Sequence, residues 1–435
     1  MSFSESPIGR LPQEWTFYKL NECTTKITDG THSTVKDNPE GDYYLLSCKN
    51  IKDGNVVLGN KERLIDLDTL NKLRKRTGLQ TNDILLTTVG TIGESAIIKE
   101  KVINYELQRS VAIIRPDIEK FAPQFMYYIT KDRKFLGQCN GMIKGSVQKC
   151  LYLGEISNIV VPCPPIIEQK AIVKILSDLD EKIEINNKIN KKLEEMAQAI
   201  FKQWFVDFEF PNEEGKPYKS SGGEMVESEF GMIPRGWGYT NLENVVLSAN
   251  TGADAIRRAP IVDYDTGIKC VRVGDISNKR NISRWGYCKI NKQDYKKFSL
   301  KKNDILVTRT ATIGLNTLIF EDLEAVYNNG LIRLKIKENF NPIFIYQVMN
   351  YKDFTDYISK ITGETSTRPN MKINYLVKYK FILPGKNVRD RFEKIMTIIL
   401  DRINNNNYEN EKLAISRDTL LPKLMSGEIR VPLDN

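Results

Sequence analysis

The sequence predicts an α+β chain with a pseudo-twofold internal repeat: two similar mixed α/β domains separated by two long antiparallel coiled-coil helices. Three observations predict it. The stretch "NDILLTTVGTIG" beginning at Asn82 returns as "NDILVTRTATIG" at Asn303, 221 positions on, with eight of the twelve residues identical. Such self-similarity is the mark of a duplicated unit. Within each copy, short β-branched runs such as "AIIKE", "VAIIRP" and "NIVVPCP" alternate with Gly, Asn and Asp turns, the pattern of a twisted mixed sheet with a few helices. Two segments, one after each copy, carry apolar residues on a 3-4 spacing over more than four heptads, which is coiled-coil patterning.

The repeat extends well beyond its best-preserved stretch. "GRLPQEWTFYKL" near the start returns as "GMIPRGWGYTNL", so that Pro12 and Trp15 answer to Pro234 and Trp237. "LLSCKNIKDGNV" (45–56) is matched by "CVRVGDISNKRNI" (270–282), and "RSVAIIRPDIEKFAPQFMYYI" (109–129) by "NGLIRLKIKENFNPIFIYQVM" (329–349), a strand, a turn and an aromatic-rich helix. The expected division is therefore a first domain over 1–165, a helix over 166–208, a second domain over 230–386 and a closing helix over 387–435. The stretch 209–229, rich in Gly, Ser, Pro and Glu and without periodicity, reads as a linker.

In the first helical segment the seam runs through Ile172, Leu176, Leu179, Ile183, Leu193, Ile200 and Trp204, and in the second through Phe392, Met396, Ile399, Ile403, Leu413, Leu420 and Leu424. Each seam has a central gap filled by asparagines, Asn186 and Asn190 in one, Asn406 and Asn410 in the other. A helix of about 36 residues would be about 54 Å long. In an antiparallel pair Asn186 would face Asn410 and Asn190 would face Asn406. A polar residue on a seam costs stability but fixes register.

The formal charge of +9 raises the odds of a polyanionic partner. Over 168–204 seven Lys balance seven Asp and Glu, and over 388–425 seven Lys and Arg stand against six acids, so the excess belongs to the two globular copies. Seven cysteines without a CxxC pair point to reduced thiols in the cytoplasm. No apolar run approaches a membrane span. No GxxxxGK[ST], GxGxxG, HExxH or GxSxG motif occurs, and "CPPI" at Cys163 lacks the amide or carboxylate and the aromatic of a methyl-transfer motif. A stand-alone metal-dependent nuclease would have to use loose carboxylate patterns such as "RPDIEK" or the "EQK" at Glu168. Glu168 is better read as a carboxylate at a helix N-terminus. A coiled-coil adaptor that does not touch DNA is the remaining alternative.

What is left is recognition. The loops "NGMIKGSVQKCLYL" (140–153) and "TGETSTRPNMKINYL" (362–376) are equivalent in the repeat and rich in side chains that hydrogen-bond base edges and phosphates. They nominate Lys144, Ser146, Gln148 and Lys149 in one copy and Thr365, Ser366, Thr367, Arg368 and Asn370 in the other. "TDGTHSTVK" adds Thr31, His32 and Lys36, and "NTGADAIRR" adds Arg257 and Arg258. The sole histidine is read as a contact residue, not a catalyst. The positions at which the repeated stretch differs, Thr88 against Arg309 and Val89 against Thr310, are further candidates for reading different DNA.

"PCPPIIEQKAIVKILSDLDEKI", "EEMAQAIFKQWFVDFEF" followed by "IPRGW", and "RDTLLPKLMSGEI" together resemble the specificity subunit of type I restriction-modification systems, over essentially the whole chain. The second "PPIIEQ" departs from that pattern, reading "PGKNVRDRF". The resemblance implies two target recognition domains, each reading half of a bipartite, asymmetric sequence in double-stranded DNA. It implies two conserved helices that pair antiparallel and space the domains. It also implies two modification subunits using S-adenosylmethionine, and restriction subunits using ATP and Mg²⁺, as partners. The chain itself would be non-catalytic, with no cofactor or metal of its own.

Overall fold

The computed structural model describes residues 2–59, 61–145, 149–229, 231–363 and 370–432, and divides into two units, Met1–Lys182 with Leu413–Asn435, and Ile183–Lys412. The boundaries differ from those expected from composition. Each long helix is shared between the units instead of forming a separate spacer domain.

In the first unit the strands are β1 (Thr16–Lys19), β2 (Thr24–Asp29), β3 (Tyr43–Leu46) and β4 (Arg63–Ile65). Helix α1 (Leu67–Thr77) follows, then β5 (Ile84–Thr87), β6 (Ser95–Ile97), β7 (Tyr105–Leu107) and β8 (Val111–Pro116). Helices α2 (Pro123–Lys131) and α3 (Arg133–Gly141), strand β9 (Val160–Cys163) and the long helix α4 (Ile166–Phe205) complete it. One sheet is antiparallel in the order β6-β5-β8-β2, and a second, mixed sheet runs β7-β3-β4 with β7 and β3 parallel. Local chemistry fixes the ends of α1. Asp66 accepts from the Thr69 amide at 2.7 Å as N-cap, and Gly78 closes the helix in the left-handed region at φ 55.

The second unit repeats this plan with β10 (Gly238–Asn241), β11 (Val246–Thr251), β12 (Lys269–Val271), β13 (Gly286–Cys288) and α5 (Lys292–Phe298). It continues with β14 (Ile305–Thr308), β15 (Asn316–Leu318), β16 (Leu323–Tyr327), β17 (Leu331–Ile336), α6 (Pro342–Asn350), α7 (Lys352–Gly363), β18 (Lys380–Leu383) and the long helix α8 (Lys386–Met425). Its antiparallel sheet has the order β11-β17-β14-β15, and β12 lies parallel to β16 as β3 does to β7. Both units therefore hold the mixed sheets and flanking helices that the strand and turn pattern predicts.

The duplicated "ND" has a specific reason. Asn82 and Asn303 adopt φ 74 and 73, a left-handed conformation that Asn tolerates better than most residues. The buried aspartates after them accept main-chain amides, Asp83 from Gln80 and Asp304 from Lys301, both at 3.0 Å. Ala311 takes the same left-handed turn, φ 58, as Gly90 does at φ 75. The stretch is framework in both units.

The 209–229 stretch is not a free linker. Phe210 is buried and its ring stacks on Tyr218 (centroids 4.5 Å apart) and on Trp237 (4.8 Å), and Met225–Ser228 pairs as a strand with Gly231–Pro234. Composition hid this because two aromatics amid polar residues are enough to anchor the segment.

Within the second unit the helical segments run antiparallel. Asn186 Nδ2 donates to Asn410 Oδ1 (2.9 Å) and Glu409 Oε2 (2.8 Å), and Asn406 Nδ2 donates to Asn190 Oδ1 (2.7 Å). Asn190 Nδ2 reaches Asn407 and Asn410 Nδ2 reaches Asn187, each at 2.9 Å. All four seam asparagines are buried. In the first unit the same two helices are joined by Arg417 Nη1 to Asp180 Oδ1 at 2.7 Å. Among the described residues no helix is long and apolar enough to cross a membrane.

Candidate nucleic-acid interface

In the first unit the ends of β2, β5 and β7 and the start of β8 converge on one edge. The Thr31 amide donates to the Leu107 carbonyl (2.8 Å), and the Arg109 amide donates back to the Thr31 carbonyl (3.0 Å). Thr88 Oγ1 donates to the Arg109 carbonyl (3.3 Å), and the Leu151 amide donates to the Thr88 carbonyl (3.0 Å). Lys144 and Cys150 exchange both main-chain hydrogen bonds, at 3.0 and 2.9 Å, and so anchor the 140–153 loop beside this edge. Burial pushes the Cys150 thiol up, with the neighbouring Arg109 charge opposing it. Three sequence-nominated regions, around Thr31, Thr88 and the Lys144–Cys150 bridge, thus meet.

Individual residues fare differently. Thr88 is only 3% exposed and its hydroxyl is used internally, which corrects the expectation that it reads DNA: the strand end that carries it is covered. Lys36 and Lys149 are exposed. Lys144 is exposed but ion-paired with Glu155, which raises its pKa. His32 Nε2 lies 2.6 Å from Asp29 Oδ2, and Asp29 also takes Arg76. The histidine is thereby tied to the framework at the mouth of the edge. Ser146, Gln148, Thr365, Ser366, Thr367 and Arg368 lie outside the described residues.

In the second unit the corresponding edge carries Arg309, half-exposed, with Nε donating to Asn370 Oδ1 (3.0 Å) and to the Met371 carbonyl (3.3 Å). Thr310 and Asn370 form the same antiparallel bridge as Val89 and Cys150. Arg257 and Arg258 are exposed in a turn closed by Asp254, whose carboxyl is held below its usual range by the amides of Ile256 and Arg257. The Arg258 guanidinium sits 5.9 Å from the Phe298 ring centroid.

Sequence reasoning missed two features. Arg109 is exposed at the centre of the first edge and makes no ion pair among the described residues; the only signal was that it differs from its repeat partner, Asn329. Helices α1 and α5, equivalent in the repeat, both present exposed basic side chains, Lys72, Lys75 and Arg76 in one and Lys292, Lys296 and Lys297 in the other. These suit phosphates.

The carboxylates of the nuclease reading are placed otherwise. Glu168, 1% exposed, accepts from Trp15 Nε1 (3.0 Å), Arg430 Nε (2.6 Å) and Arg430 Nη2 (3.0 Å), so it ties the chain end and the N-terminal segment to the start of α4. Among the described residues no group of three or more His, Cys, Asp or Glu is arranged to hold a metal ion.

The chain matches the family model described as type I restriction modification DNA specificity domain twice, over residues 12–195 and 237–416. It is 26% identical to the type I restriction enzyme MjaIX specificity subunit of Methanocaldococcus jannaschii, over 99% of this chain and 96% of that protein. It is 24% identical to the HindI specificity subunit of Haemophilus influenzae, over 86% and 92%. The crystal structure of a type I restriction-modification system S subunit from M. genitalium covers 99% of this chain and 100% of its own at 15% identity, with a TM-score of 0.54, and so shares the fold. With both repeats matched, the chain belongs to the type I restriction modification DNA specificity domain family.

Proposed function

We propose that the chain is the non-catalytic, sequence-reading subunit of a type I restriction-modification complex, that each unit reads one half of a bipartite, asymmetric DNA target, and that the complex acts in the cytoplasm. One observation carries this reading. The same hydrogen-bonded edge is built in both units, from Thr31, Thr88 and Leu151 in one and from Ala253, Arg309 and Met371 in the other, with different side chains mounted on it. A shared frame with divergent surface chemistry is what two different half-sites require. The exposed basic residues of α1 and α5 supply sequence-independent attraction to phosphates, so binding should weaken steeply with salt.

Two modification subunits, carrying S-adenosylmethionine, and restriction subunits, using ATP and Mg²⁺, are the partners on this reading, as the family resemblance implies. The asparagine-locked helices would hold the partner-binding scaffold in a single register. Mapping methylated bases in DNA from cells carrying the complete system tests the proposal. A motif of two unlike half-sites around a fixed spacer is expected. A continuous or palindromic motif, or plasmid cleavage by the purified chain with Mg²⁺ alone, would overturn it.

A further inference from the structure

Four main-chain hydrogen bonds of the first edge have counterparts in the second. Gly30 N to Val111 O and Gly252 N to Leu331 O are both 3.3 Å; Thr31 N to Leu107 O is 2.8 Å where Ala253 N to Tyr327 O is 2.9 Å. Gln108 N to Leu46 O is 2.8 Å and Asn328 N to Val271 O is 3.0 Å; Leu151 N to Thr88 O is 3.0 Å and Met371 N to Arg309 O is 2.9 Å. Neither Gly30 nor Gly252 leaves room for a side chain, because a Cβ would lie 2.0 Å from the Leu107 oxygen or 2.2 Å from the Tyr327 oxygen.

On this common frame each edge carries an arginine at one of two equivalent positions, supplied from neighbouring strands. At the end of β5 and β14 stand Thr88 and Arg309, and just before β8 and β17 stand Arg109 and Asn329. The exchange is compensated. The carbonyl of Arg109 is satisfied by the Thr88 hydroxyl at 3.3 Å, and that of Asn329 by Arg309 Nη1 at 3.4 Å. One hydroxyl and one guanidinium perform the same internal task, and in each unit an arginine keeps donors without a partner among the described residues. The Arg109 fork is wholly uncommitted among the described residues, its neighbour Asp29 being occupied by Arg76 and His32. Arg309 is held by Nε and Nη1, and its Nη2 makes no hydrogen bond among the described residues.

We infer that Arg109 and Arg309 are the base-reading side chains of the two half-sites, each taking a guanine through its O6 and N7 in the major groove. Planar, paired donors on a rigid mount match that edge, and a lysine, a flexible point charge, matches it less well. A phosphate contact, by contrast, accepts either cation. The inference rests on the DNA-reading role proposed above.

The test replaces the chain in the complete system with Arg109→Lys or Arg309→Lys and maps the methylated motif. Arg109→Lys should relax one G·C position of one half-site, with discrimination there falling roughly 5- to 150-fold, and leave the other half-site intact; Arg309→Lys should do the reciprocal. Arg109→Lys alone decides the matter if Arg309→Lys proves unstable, since Arg109 makes no side-chain bond whose loss would unfold the unit. A motif that keeps its G·C discrimination in Arg109→Lys overturns the inference, as does an effect spread evenly over all sequences, the behaviour of a phosphate contact. If the wild-type system yields no bipartite motif, the DNA-reading role itself fails, an outcome separate from either variant's.

Discussion

Gly30→Ala probes how tightly the recognition edge is built. The Cβ of an alanine would lie 2.0 Å from the Leu107 oxygen and 2.5 Å from the Gln108 oxygen, against the ~3.5 Å of a comfortable contact. Both obstacles are main chain, in β7 and in the bridge that pairs Thr31 with Gln108, so no side-chain rotation relieves the clash. The segment must retreat by roughly 1 Å or more, breaking the bonds between Thr31 N and Leu107 O and between Arg109 N and Thr31 O. Overpacking costs ~1–3 kcal/mol, and each lost hydrogen bond costs a further ~1 kcal/mol, giving about 3–5 kcal/mol. Gly137→Ala is the matched control. It lies exposed inside α3 with nothing within 4 Å of the new methyl, and should stabilise the same unit by up to ~1 kcal/mol. At ~2–4 °C per kcal/mol for a unit of this size, calorimetry of the full chain should show the first unit's transition falling by roughly 6–20 °C in Gly30→Ala. The same transition should rise by about 1–4 °C in Gly137→Ala, which also identifies it. A Gly30→Ala chain that melts with the wild type would refute the packing argument and, with it, the rigidity of the mount for Arg109.

Three further outcomes follow from the same geometry. Replacing Asn186, Asn190, Asn406 and Asn410 together with leucine should raise the unfolding temperature of the second unit and admit slipped or oligomeric species in light scattering; Asn186 Oδ1 is buried without a partner among the described residues. An unchanged melting point with a single unchanged assembly state would count against a register role. Arg430→Met should cost about 3 kcal/mol in unfolding experiments, because it leaves the Glu168 carboxylate buried with Trp15 as its remaining donor; a near-neutral result would show that water compensates. Glu393 is raised from 4.5 to about 7 by burial and by Asp390, against the pull of Arg389, Asn341 and Lys386. Its native state therefore holds a proton that the unfolded chain releases, and stability falls as pH climbs from about 4.5 through about 7. Glu393→Gln should match the wild type below that window and exceed it above, by on the order of 1–2 kcal/mol after solvent screening; parallel pH profiles would contradict this.

Much of this architecture was legible in the sequence because the signals were periodic or duplicated. The helical seams and the "ND" turns each appear twice in register, and Ile166–Phe205 and Lys386–Met425 are each 40 residues long. The recognition edge was legible only as regions. Thr88 differs between copies, as a reading residue should, yet it is buried, because its exposure depends on β8 and the Leu151 segment, both distant in sequence. Arg109 escaped notice for the converse reason: it stands among strand residues in the chain but at an open edge in space. The packing of Phe210 against Tyr218 and Trp237 was hidden by the polar composition around it.

The arginine exchange also explains why the repeat looks weak outside its framework strings. A mount held together by main-chain hydrogen bonds constrains few side chains: the glycine at 30 and 252, the left-handed Asn at 82 and 303, and a donor for the carbonyl at 109 or 329. That last demand is met by a hydroxyl in one unit and by a guanidinium in the other, so Thr88 with Arg109 can become Arg309 with Asn329 while the shared main-chain bonds of the frame survive. Moving the arginine from one strand to its neighbour shifts the reading group by about one strand spacing, ~4.8 Å, which exceeds the ~3.4 Å rise of a base pair. If these arginines read guanine, two units built on one frame would address it at different positions within their half-sites, without a change of fold.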